Sequence, residues 1–123
     1  MEKQYPIHKY QEMIEILLNT AIACERCANK SESENIMQRG VLLNRDAVEL
    51  FKQAVKLLKH DSEISSQFMQ VCEEMARMTA EECYNNLNIE YVKTCADACN
   101  SCAEACKNHR QNVGMSAPRL NVA

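Results

Sequence analysis

Eight cysteines stand in a chain of 123 residues. Four of them fall in one stretch, Thr94 to Lys107, reading TCADACNSCAEACK. Cys95, Cys99, Cys102 and Cys106 follow one another at gaps of four, three and four. On a helix turning about 100° per residue, these thiols share an arc of roughly 60° and rise over roughly 16 Å. Alanines flank the seam, and Asp97, Asn100, Ser101 and Glu104 lie further out. The stretch is an amphipathic helix whose apolar face is sulfur and methyl instead of Leu and Ile. One buried Cys is merely a small hydrophobe. Four on one seam, padded by Ala, make a row of soft metal ligands. A tight small-residue core and a disulfide framework are the two other readings that the residues leave open.

The remaining cysteines repeat the pattern. Met13, Leu17, Thr20, Cys24 and Cys27 form one stripe at the same alternating spacing, with the thiols in its C-terminal half. Phe68, Cys72, Met75, Thr79 and Cys83 form another. Leu43, Ala47, Leu50, Ala54 and Leu57 form a third, thickened by Val48, Phe51, Val55 and Leu58, with no cysteine. That segment reads as purely structural.

The elements that must carry these stripes are helices. Only two Gly and two Pro occur, aromatic content is 5%, and strong helix formers are plentiful. No segment alternates with period two, so no strand is expected. The predicted helices cover about residues 3–30, 35–59, 63–86 and 89–110. Ser31 to Glu34 (SESE) is read as a polar turn, and Asp61 or Ser62 as the N-cap of the third helix. Short connections imply antiparallel neighbours, hence an all-α, up-down-up-down four-helix bundle over residues 1–111. Residues 112–123 carry Gly114 and Pro118 without periodicity and read as a tail.

Stacking the helices sorts the sulfurs into two groups. Cys24, Cys27, Cys83, Cys95 and Cys99 are expected together near the end that holds the first and third turns. Cys72, Cys102 and Cys106 form a sparser lower group, with Met13 and Met75 as candidate thioether neighbours. His109 follows Cys106 in a CxxH spacing near the opposite end, beside His8 and His60. Exposed histidines favoured by helix C-terminal dipoles are the plainer account of these. Met37 has no assigned role, and Tyr84 and Tyr91 are expected to cap the core.

Charge and motifs exclude several functions. Net charge is −3 with both signs interspersed, so nothing points to nucleic acid or an anionic membrane. The apolar runs are too short to span a bilayer. No secretory signal opens the chain, which implies the cytosol and reduced thiols. Glu-x-x-His pairs, phosphate loops and hydrolase elbows are missing, so no enzyme is expected. Thiolate and thioether select soft ions, with Cu(I) the best match. Zinc prefers a closed tetrahedral set, and thiol redox chemistry ranks below both. A helical interaction or scaffold protein, with cysteines as core filler or structural zinc ligands, is the alternative.

The chain resembles the four-helix copper storage proteins over about residues 10–110. The CAxAC and CxxC repeats of TCADACNSCAEACK carry the likeness most specifically, with CERCA at the end of the first helix and NRDA at Asn44 to Ala47. The resemblance implies a cytosolic homo-tetramer of bundles whose cores hold Cu(I) through thiolates. It carries over to Cys24, Cys27, Cys72, Cys83, Cys95, Cys99, Cys102 and Cys106. The family also places cysteine at positions that are here Met13, Leu17, Thr20, Ala47, Met75 and Thr79, so this is a cysteine-depleted member.

Overall fold

The computed structural model describes residues 9–112. Among them the chain forms four α-helices: α1 (Gln11–Ser33), α2 (Gln38–Lys59), α3 (Ser65–Cys83) and α4 (Glu90–Asn112). A single 3-10 turn, Tyr84–Asn86, follows α3. No strand occurs among the described residues. Each helix packs on the next, and α4 closes back on α1. With such short connections, neighbours run antiparallel and the ring is an up-down-up-down bundle.

The helix ends differ from the sequence expectation, for a backbone reason. SESE does not form a turn, because α1 runs through Ser31, which is fully buried. It stops in a Schellman motif: the Ile36 N–H donates to the Ser31 carbonyl at 2.9 Å and the Asn35 N–H to Glu32 at 3.1 Å. Asn35 takes the left-handed conformation there, at φ 62. The end of α2 repeats the device, with Ser62 N–H donating to Leu57 at 2.9 Å, Asp61 N–H to Leu58 at 3.0 Å and Asp61 at φ 52. Asp61 therefore lies just past the C-terminal end of α2 and is not the N-cap of α3, which starts later than expected, at Ser65. Ser62 does not cap α3 either; its hydroxyl accepts from the Ile64 N–H at 3.3 Å, and Ile64 is the N-cap. At the other end of the chain, α1 begins at Gln11. The helical start assigned to Lys3 or Pro6, and the tail after Asn112, lie outside the described residues.

Three face assignments also shift. In α2 the buried stripe centres on Asn44, Ala47, Phe51, Ala54, Val55 and Leu58, and Leu43 and Leu50 move to its flank. In α3, Phe68, expected on the seam, packs at the margin of the core, beside the fully buried Met69. Tyr84 is 49% exposed and caps nothing, whereas Tyr91 is buried and its hydroxyl donates to Glu34 at 2.5 Å. Met37 gains a part in the fold. It precedes α2 in left-handed backbone, at φ 52, a placement that costs of order 1–3 kcal/mol for a residue with a side chain. Gly40 makes room for it: a Cβ there would stand 2.7 Å from Met37 Cε. The glycine inside α2 is thus a packing notch.

Candidate metal centre

All eight cysteines are fully buried and free. The helical spacing puts each thiol on the inward face, and the antiparallel register brings the faces together. Cys24 on α1 and Cys99 on α4 approach to 3.5 Å between Sγ atoms, and Cys95 lies 3.9 Å from Cys24. Cys24, Cys95 and Cys99 form one trio with all sulfurs within 4.8 Å of one another. Cys27, Cys83 and Cys95 form a second at the same limit, drawing on α1, α3 and α4. The trios share Cys95. With metal–sulfur bonds of about 2.3 Å, three sulfurs around one ion stand about 4 Å apart. Both trios therefore fit a soft ion with little movement. The upper group expected from helix stacking is present, with the same members.

The lower thiols are looser. Cys102 interacts with Cys106 and with the Thr20 hydroxyl. The Cys72 thiol points 3.8 Å from the Leu50 carbonyl and feels Cys102 electrostatically. Cys72, Cys102 and Cys106 do not form a compact trio of the kind found above. Met13 and Met75 are buried, at 6% and 7% exposure, among the core residues.

Hydrogen bonds between neighbouring thiols come first for most of these groups, with burial behind them; Cys72 is the exception. Cys72 is pushed up to about 12, first by burial and then by Cys102. Cys83 is raised to about 12, chiefly by its hydrogen bond with Cys27. Cys27 is correspondingly lowered, first by its hydrogen bond with Cys83 and then by the neighbouring Cys95. In the lower pair, Cys102 is lowered by donation from Cys106, which is itself raised. Within each coupled set one sulfur is the acceptor and its neighbours keep their protons. A soft cation bound by such thiols would displace their protons.

Helix α2 contributes one polar group that the sequence reading passed over as part of a structural helix. Asn44 is 1% exposed. Its Nδ2 donates to the Gly40 carbonyl at 2.9 Å, which aims Oδ1 at the thiols, and Cys95 donates to that oxygen at 3.1 Å. The signal was present in the sequence, since Asn44 stands one helical turn before Ala47 on the buried face.

Both ends of the bundle carry a surface cleft of about 330 Å³, the lower lined by Tyr10, Met13, Ile16, Asn108 and His109, among others, and the upper by Glu32, Ile36 and Val41, among others. The His109 ring stands edge-on to Tyr10, with centroids 5.2 Å apart. Its Nε2 is buried without a hydrogen-bond partner, and burial lowers its pKa so that the neutral ring is favoured. At the upper end Tyr91, tied to Glu34 and covered by Lys30 Nζ 5.7 Å from its ring, lies over the thiols. His60 is exposed, and His8 lies outside the described residues.

The copper storage protein family model matches residues 7–111. The chain belongs to the copper storage protein family. Among solved structures, the Cu(I)-bound copper storage protein BsCsp3 shares the fold at a TM-score of 0.76. That likeness holds at 24% identity, covering 80% of this chain and 95% of BsCsp3. No curated protein matches. The all-helical architecture described above is the one this chain shares with BsCsp3.

Proposed function

We propose that this protein stores or buffers Cu(I) in the cytosol, with the ions held by Cys24, Cys27, Cys83, Cys95 and Cys99 above and by Cys72, Cys102 and Cys106 below. One observation carries the reading: two thiol trios, fully buried, drawn from three helices and joined at Cys95. The donor set suits Cu(I), which accepts soft sulfur in low coordination. Structural zinc wants four donors in a closed tetrahedron. The compact donor groups among the described residues stop at three, which favours copper over the scaffold alternative with structural zinc. Copper is cargo here, and no chemical step is asked of the protein, so a non-enzymatic role follows.

Access to the core is assigned to the lower cleft. Met13 and His109 supply a thioether and an unpartnered imidazole nitrogen at its wall, and Met75 lies deeper on α3. Eight free thiols suit a reducing compartment. No helix among the described residues is long and apolar enough to cross a membrane. Assembly into a homo-oligomer, a tetramer by family resemblance, belongs to the same proposal.

The deciding experiment is an anaerobic Cu(I) titration of fully reduced protein against a competing chromogenic chelator. The protein should withdraw several equivalents. The double variant Cys95→Ser/Cys99→Ser should lose those of the upper group and keep the lower ones. A chelator that retains all its copper in the presence of the wild-type chain would end the storage reading.

A further inference from the structure

The two thiol groups are joined at one residue. On α4, Cys102 stands three residues from Cys99 and four from Cys106, and all three are fully buried. At about 1.5 Å of rise per residue, it sits about 4.5 Å along the axis from Cys99 above and about 6 Å from Cys106 below, on the same inward face.

The other helices break off at this level. Below Cys24, α1 presents Thr20 and Leu17 to the core, and below Cys83, α3 presents Thr79. The Thr20 hydroxyl donates to the Ile16 carbonyl at 2.7 Å and the Thr79 hydroxyl to Met75 at 2.8 Å. Both leave only hard oxygen lone pairs, poor ligands for Cu(I). On α2 the neighbouring buried positions are Ala47 and Phe51. Only α4 carries an unbroken row of soft donors among the described residues, at Cys95, Cys99, Cys102 and Cys106.

We propose that Cys102 is the relay through which Cu(I) passes between the lower thiols and the upper five-thiol group, so that copper moves along α4 alone. This rests on the storage reading. In each step the bond from Cys106 sulfur to copper breaks as one from Cys102 sulfur forms, and the Cys102 proton passes to the released Cys106 sulfur. The same exchange carries the ion on to Cys99. Copper stays Cu(I) throughout, and no electron donor or acceptor is needed.

The test follows loading in time. Reduced full-length protein is mixed with a Cu(I)–chelator complex, alkylated at intervals, and read by peptide mass spectrometry for protection of each cysteine. In the wild type, upper and lower thiols should become protected together. In Cys102→Ser, upper protection should reach its full extent but about tenfold or more slowly, a barrier change of about 1.4 kcal/mol or more. Adding Thr20→Cys to that variant places a soft donor beside the missing one and should return most of the rate. A merely structural role for Cys102 would not be rescued from α1. If Cys102→Ser unfolds by circular dichroism, Cys102→Ala is read in its place.

Upper thiols that fill at the wild-type rate in the Cys102 variant overturn the relay and leave storage standing. A rate that Thr20→Cys fails to restore also overturns it. A wild-type chain that takes no copper removes the storage reading and the relay with it.

Discussion

Cys95 is the residue on which the upper group depends, because both trios include it. Its proton points at Asn44, and Asn44 is held by the Gly40 carbonyl. Its proton is retained: Cys24 pulls the thiol down, but Cys27, Cys83, Cys99 and burial together raise it further. Replacing Asn44 with Ala removes an acceptor from a buried S–H and a donor from a buried carbonyl, and opens a small void. Leaving a buried polar group unsatisfied costs about 1–3 kcal/mol. Asn44→Ala is therefore expected to lower the stability of the reduced, copper-free protein by about that amount. Urea denaturation under reducing conditions measures it, with an unchanged midpoint counting against the argument. The cysteines and their grouping were legible in the sequence, because a three-four repeat fixes one helical face and short loops fix the antiparallel register. The face of Asn44 was legible from its place one turn before Ala47, but its partner was not, because spacing alone does not say that the amide oxygen meets a thiol.

At the scale of the helix, α2 shows where periodicity runs out. Leu43, Leu50 and Leu57 make one apolar row, and Phe51, Val55 and Leu58 make another beside it. Two adjacent rows define a wide face without saying which edge meets the core, and the structure buries the second. The ends of α1 and α2 were hidden for a different reason. Schellman motifs are backbone devices, and here they use Asn35 and Asp61 where Gly would have announced them. The α3–α4 pairing depends on a tie that the sequence does not single out. Arg110 on α4 reaches Glu73 on α3, with side chains only 21% and 15% exposed. Burial pushes the Glu73 carboxyl up, but Arg110 and then Arg77 outweigh it and hold the pKa below the ordinary range. A depressed carboxyl stabilises the fold above its unfolded pKa, and that contribution is lost as pH falls through the folded value. Glu73→Gln leaves the Arg110 charge without its partner and should cost about 1–3 kcal/mol at neutral pH. Because the carboxyl is gone, the variant and wild type should converge in melting temperature as the solution is acidified. A gap that stays constant from neutral to acid pH would mean the ion pair contributes nothing.

For the whole molecule, the distribution of thiols decides what copper does to the fold. The first trio ties α1 to α4, and the second ties α1, α3 and α4 together. No cysteine lies on α2, which meets the thiols through Asn44 and the Leu50 carbonyl. An ion that binds the folded chain and not the unfolded one adds stability by mass action. With the proposed ligands that gain would be directed, because metal–sulfur bonds to them would cross-link three helices and bypass the fourth. Local opening of α1, α3 and α4 at their thiol-bearing ends would have to break those bonds, whereas α2 can still fray from its own ends. Hydrogen exchange on the loaded protein should therefore show the largest rise in protection around Cys24, Cys27, Cys83, Cys95 and Cys99, and the smallest along α2. Withdrawing copper with an excess of chelator should return the exchange pattern to that of the empty protein. Uniform protection of all four helices would mean that copper stabilises the bundle only as a unit. Protection concentrated on α2 would contradict the ligand set itself, since that helix has no sulfur to offer.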